Sequence, residues 1–189
     1  MALYNKLIFT GPVGAGKTTA IASLSDEPPV RTDALASDMT QNLKPATTVA
    51  MDYGVMTLEG GGKLHLYGTP GQERFNFMWE ILSQGGIGVI LLIDNNGNDP
   101  FHDLRFFLNR FRSFIDESGL AIGITRMDLK ADPTLEAYHK EIDKLGFRAP
   151  ILEVDARRRS DVSLLVQSLL FHLDPGLEVE EEDVRFAVS

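Results

Sequence analysis

Residues 11–18 read Gly-Pro-Val-Gly-Ala-Gly-Lys-Thr, a match to G-x-x-x-x-G-K-[ST]. An apolar stretch, residues 3–10, leads into this segment, and a helical pattern over 18–24 leads out of it. The pattern fixes local architecture on both sides. A strand must deliver the chain to the loop, and a helix must begin where the loop ends. Glycines let the backbone wrap closely enough for its N–H groups to face phosphate oxygens. The helix N-terminus adds partial positive charge. Lys17 is placed to neutralise β- and γ-phosphates, and the Thr18 hydroxyl to ligate Mg²⁺. Average composition yields such a match by accident in about one chain of this length in a hundred.

Strand-like and helix-like segments alternate along the rest of the chain. Residues 48–58 and 63–67 read as strands joined through Gly60-Gly61-Gly62, a hairpin signal. Residues 88–94 are a continuous apolar run, as expected of a strand buried on both faces. Leu104, Phe107, Leu108, Phe111, Phe114 and Ile115 recur at helical spacing and predict one helix. Strands are predicted over 120–125 and 150–154. Helices are predicted around Leu135–Leu145 and Val162–Leu173. Residues 25–46 lack a period, contain Pro28, Pro29 and Pro45, and predict a long loop. The alternation predicts an α/β fold of three layers, α-β-α. Its six-stranded sheet is mostly parallel, with one antiparallel edge strand.

Composition narrows the function classes. The 189 residues suit one domain. A net charge of −9 argues against a global attraction to nucleic acid. The chain has no cysteine, which removes disulfides, thiolate metal sites and cysteine-linked lipid anchors. No charged leader with an apolar stretch follows Met1, and no apolar run approaches the roughly 20 residues of a membrane span. The cytoplasm is the expected compartment.

Four further segments extend the first motif. Gly68-Thr69-Pro70-Gly71-Gln72-Glu73-Arg74-Phe75 resembles the D-T-A-G-Q-E-R-F segment of Ras-like small GTPases. Thr48-Val49-Ala50-Met51-Asp52-Tyr53-Gly54 resembles the T-x-G-x-D-F segment after switch I in Rab-type members. Thr125-Arg126-Met127-Asp128 stands where N-K-x-D is expected, and Asp155-Ala156-Arg157 where S-A-K is expected. The resemblance covers residues 3–174. Within the superfamily the chain looks most similar to bacterial small GTPases of the gliding-motility type. It implies a P-loop GTPase domain over 1–175 and an acidic tail over 176–189.

The resemblance implies a switch that binds GTP or GDP with Mg²⁺, hydrolyses GTP slowly without an activator, and controls protein partners through two loops. Gly11, Val13, Gly14, Ala15, Gly16, Lys17, Thr18 and Thr19 would hold the phosphates. Thr48 would ligate Mg²⁺ with Thr18 and touch the γ-phosphate. The Gly71 N–H would bind that phosphate, and Gln72 would orient the attacking water. Gln72, Lys17 and Thr48 would thus carry the catalysis. Asp128 would accept two hydrogen bonds from the guanine edge, against adenine. The Arg126 stem would pack along the base, the Ala156 N–H would meet the guanine carbonyl, and Thr125 and Arg157 would complete the base site. A Roadblock-type domain protein is the implied partner class.

Four residues depart from the Ras pattern. Gly68 replaces the aspartate that holds Mg²⁺ through water, with Asp52 and Asp94 as candidate substitutes. Val13 replaces a glycine and is expected to crowd Gln72. Thr125 replaces the asparagine that buttresses the base site. Pro70 replaces alanine and stiffens the turn into switch II. Arg31 and Arg74 are candidates for an arginine finger, with solvent exposure the plainer reading. Two other readings stay open: a nucleotide-bound scaffold with little hydrolysis, and an ATP-using P-loop enzyme. The acidic tail reads either as a solvated end or as a docking segment through Val184, Phe186 and Val188. Phe75, Phe77, Met78 and Trp79 read equally as core or as partner surface.

Overall fold

The structure, a computed structural model, describes residues 5–31, 51–58, 61–71, 79 and 82–174. Thr48, Gln72, Arg74, Phe75, Phe77, Met78 and the tail lie outside the described residues, as does the Arg31 side chain. The strands are β1 (Asn5–Thr10), β2 (Val30–Arg31), β3 (Asp52–Thr57), β4 (Lys63–Gly68), β5 (Gly88–Asp94), β6 (Leu120–Thr125) and β7 (Ile151–Glu153). The helices are α1 (Lys17–Leu24), α2 (Pro100–Arg110), α3 (Arg112–Glu117), α4 (Leu135–Lys144) and α5 (Arg159–Leu173).

The sheet runs β2-β3-β4-β1-β5-β6-β7. β1 pairs in parallel with β4 and β5, and β5-β6 and β6-β7 are also parallel. β3 is antiparallel to β4, as the glycine-rich hairpin predicts. The predicted six strands are present. A seventh, β2, is only two residues long and pairs antiparallel with β3, so β3 is not the outermost strand. Two residues preceded by Pro28 and Pro29 carry no period, which is why the sequence reads there as loop.

Each central strand buries both faces. On β5, Ile90 and Leu92 pack with Phe9, Ile21 and Leu165 on the α1/α5 side. Val89, Leu91 and Ile93 pack with Leu104, Phe107 and Tyr138 on the other. The period-2 alternation of a strand places successive side chains in opposite layers, so a strand covered on both sides reads as unbroken apolar sequence.

Local signals set the helix ends. Asp99 caps α2, its carboxylate accepting from the His102 N–H at 2.9 Å, and Pro100 takes the first helical position. Thr134 caps α4 by accepting from Ala137 N–H. The single helix predicted over 104–115 is divided at Phe111, whose φ of −95° and ψ of 6° leave the helical region. The Phe111 ring stacks on Trp79 at 5.4 Å, so a tertiary aromatic contact sits at the break.

Candidate nucleotide-binding site

The parallel strands end on one edge of the sheet, and the loops that follow them converge there. Open α/β sheets bind ligands at this edge. The loop after β1 is the glycine-rich segment. Gly16, the N-cap of α1, has φ 101° and would bring a Cβ to 3.0 Å from the Ala156 Cβ, so both conformation and space call for glycine. The loops after β6 and β7 contribute the other wall. Together Ala15, Gly16, Thr19, Thr125, Arg126, Asp128, Ala156 and Arg157 line a cleft of about 300 Å³. All eight are among the positions expected to contact nucleotide, and Leu129, Val154 and Asp155, which were not, line the cleft with them. Gly11, Val13 and Gly14 belong to the same loop, and Lys17 and Thr18 open α1 directly after it.

The Lys17 side chain is buried and its Nζ donates to the Gly11 and Pro12 carbonyls, each at 2.7 Å. Burial pushes its pKa down to about 8, partly offset by the charge of Asp52. Gly71 abuts this region. A Cβ at Gly71 would lie 2.6 Å from the Val13 nitrogen and 2.9 Å from Lys17 Nζ, so no side chain fits. The Val13 side chain is exposed.

Asp52 and Gly68 face each other across the antiparallel β3-β4 ladder. Directly opposed residues project on the same face of a sheet. A Cβ built on Gly68 would fall 3.1 Å from the Asp52 Cβ and 3.3 Å from its Oδ2. Asp52 therefore occupies the volume a side chain at 68 would need. Its Oδ2 accepts from the Thr18 hydroxyl at 2.5 Å. Asp94, the other candidate carboxylate, is engaged elsewhere: it pairs with Arg126 and accepts from the Asn96 N–H at 2.9 Å.

Thr125 is buried, and its hydroxyl lies 3.0 Å from the Ala15 carbonyl and 3.2 Å from that of Ile93. It thereby ties the glycine-rich loop to the end of β5. Arg126 adopts φ 59°, an uncommon conformation for a side-chain-bearing residue, which turns the chain toward Asp128. Asp155 accepts two side-chain bonds from Arg157, at 2.9 and 2.8 Å, and one from the Arg157 N–H at 3.0 Å. Those bonds hold its carboxyl down to about 2. Trp79 is buried, so of the aromatics after Gly71 this one belongs to the core. Asn95, which the sequence reading did not single out, is fully buried. It accepts from Tyr138 at 2.7 Å and donates to the Lys130 and Pro133 carbonyls, bracing the loop that carries Asp128.

Residues 27–169 match the sequence family described as conserved hypothetical ATP binding protein. The chain belongs to that family. The family match begins after the glycine-rich loop and takes in the hairpin and the loops after β6 and β7. Curated relatives of the chain are Ras-related. It is 25% identical over 166 residues to Ras-related protein RABD2c of Arabidopsis thaliana, covering 83% of this chain and 74% of the relative. It is 25% identical over 164 residues to GTP-binding protein YPTM2 of Zea mays, covering 83% and 73%. Ras-related protein Rab-18-B of Danio rerio is 28% identical over 184 residues, covering 91% and 81%. This near-full-length similarity supports a place in the Ras-like superfamily and a nucleotide-binding, small-GTPase-like function for this family member. Among the described residues no helix is long and apolar enough to cross a membrane.

Proposed function

We propose that the chain is a guanine-nucleotide switch that hydrolyses GTP to GDP and phosphate. The observation that carries this is the cleft that joins the glycine-rich loop to the Asp128 carboxylate. Guanine presents N1–H and an exocyclic amine side by side, both donors, to one carboxylate. Adenine presents a lone pair at N1, which a carboxylate repels. The family description names ATP, but Asp128 favours guanine. Thr125 tethers the loop, Ala156 offers its N–H to the base carbonyl, and the Arg126 stem flanks the ring.

A triphosphate draws Lys17 from the Gly11 and Pro12 carbonyls to the β- and γ-phosphates. The Gly71 N–H and Thr48 then meet the γ-phosphate, and Gln72 orients water. The water oxygen bonds to phosphorus, the bond to the β-phosphate oxygen breaks, and the water protons end on phosphate and solvent. The chemistry is positional and electrostatic, with no covalent intermediate. Mg²⁺ fits the donor set: the Thr18 hydroxyl and Asp52 carboxylate are hard oxygen ligands at the loop, with Thr48 expected as a third. The ion, when bound, neutralises charge on the β- and γ-phosphates. Loss of the γ-phosphate releases the loops around Thr48 and Gly71, and a partner reads the difference. The gliding-motility type is the branch this reading assigns, in the cytoplasm, with a Roadblock-type domain protein as partner.

An Asp128→Asn variant tests the base assignment. An asparagine accepts from N1–H and donates, so it matches xanthine, whose C2 bears a carbonyl. Calorimetric titration is expected to show GDP affinity falling by about 100-fold, from loss of charge-assisted hydrogen bonds of about 1.5–3 kcal/mol each. Xanthosine diphosphate affinity is expected to rise. An unchanged GDP affinity contradicts the proposal. Single-turnover phosphate release, with and without cell extract, tests hydrolysis. No release under either condition favours a nucleotide-bound scaffold.

A further inference from the structure

Trp79 is the only tryptophan of the chain, and its buried indole Nε1–H donates to the Pro70 carbonyl at 3.1 Å. That carbonyl belongs to the Pro70–Gly71 peptide, the unit that also carries the Gly71 N–H. We infer that Trp79 is a positioning residue for the γ-phosphate: by gripping one side of this peptide plane it aims the amide on the other side at the glycine-rich loop.

Three facts carry the argument. A trans peptide is planar, with its C=O and N–H pointing in opposite directions, and this bond is trans. Fixing the carbonyl on Trp79 therefore fixes the N–H away from Trp79. The two sides of the peptide also belong to different halves of the molecule. Trp79 packs in the core layer of Phe107 and Phe111, whereas the glycine-rich loop and α1 pack in the opposite layer with Ala15 and Ile21. Gly71 already lies against Val13 and Lys17 on that second side. Finally, the grip is rigid. The indole is stacked on Phe111 at 5.4 Å, tilted on Phe107 at 5.3 Å, and meets the edge of Phe106 at 6.1 Å. An amide held this way is pre-set for an incoming phosphate oxygen and loses little freedom on binding.

The inference rests on the guanine-nucleotide reading above. GDP lacks the phosphate that Gly71 meets, so Trp79 should matter for the triphosphate and not for the diphosphate. The test compares wild type, Trp79→Phe, and a protein carrying benzothienylalanine at 79, an isostere that keeps the bicyclic ring and lacks the N–H. Affinities for GDP and for a non-hydrolysable GTP analogue are measured with Mg²⁺, and thermal melting reports folding. Both altered proteins are expected to lose about three- to ten-fold in affinity for the analogue, the scale of one hydrogen bond, with GDP affinity held within about two-fold. The isostere is expected to keep the wild-type melting temperature. Equal loss for both nucleotides, or no loss in the isostere, overturns the assignment while leaving the nucleotide reading intact. A wild-type protein that binds neither guanine nucleotide overturns both.

Discussion

The Lys17 ammonium donates to two carbonyls of its own loop, in a setting that burial makes costly for charge. With a pKa near 8 against 10.5 for an ordinary lysine, the folded chain holds fewer protons than the unfolded chain between those values. Stability should therefore rise with pH across that window and be flat below it, where both states are protonated. A polyphosphate placed beside Lys17 adds negative charge and raises the pKa again. Nucleotide binding at pH 8.5 is then expected to take up part of a proton at Lys17, and at pH 6.5, where Lys17 is already charged, that contribution vanishes. Calorimetry in buffers of different ionisation enthalpy reads this directly, and Lys17→Met should abolish it. Asp52 is the second residue with a sharp expectation. Asp52→Asn should weaken Mg²⁺-dependent nucleotide binding by about ten-fold or more, the scale of one lost charge-assisted contact. Asp94→Asn should leave the metal dependence unchanged, since Asp94 pairs with Arg126. Equal effects from the two variants would contradict the placement of the carboxylate.

At the scale of elements, the β3-β4 hairpin explains how Gly68 is tolerated. Asp52 lies one strand sideways from Gly68, directly opposite in register, and under the proposed function its carboxylate takes the part of the missing aspartate. Gly68→Asp alone should destabilise the hairpin, because its Cβ meets Asp52 at 3.1 Å and Ile21 at 3.0 Å. Combined with Asp52→Gly, the same change returns the carboxylate to β4, and Mg²⁺-dependent binding should recover toward wild type. A double variant no better than either single one would show that the two positions are not interchangeable. Much of this site was legible in the sequence, and the limits have physical causes. The glycine-rich loop, the turn at Thr125–Asp128 and the buried strand β5 each declare themselves by local pattern. The choice between Asp52 and Asp94 does not, because it depends on antiparallel register, which no spacing within one strand encodes. The division of the 104–115 helix at Phe111 is equally silent, since its apolar period continues through the break and only the contact with Trp79 marks it. The bond from Trp79 to Pro70 joins residues nine apart through a core layer and leaves no motif.

Across the whole molecule, hydrogen bonds link the loops after β1, β5 and β6. Thr125 ties the glycine-rich loop to β5, Asn95 braces the segment carrying Asp128, and Trp79 couples the Pro70–Gly71 segment to α2 and the break at Phe111. A ligand spanning these loops should stabilise the fold as a unit. At a concentration about 100 times Kd, GDP should add about 2.7 kcal/mol, which raises the melting temperature of a domain of this size by about 5–10 °C. Thr125→Val should reduce both the melting temperature and the affinity for GDP, as it removes the tether at the centre of the cleft. The central claim is that the Asp128 carboxylate selects a purine with two adjacent donors. Its most direct test is side-by-side calorimetric titration of the wild-type protein with GDP and ADP in Mg²⁺. GDP is predicted to bind at least about 100-fold more tightly. Equal affinities, or tighter ADP, would contradict it.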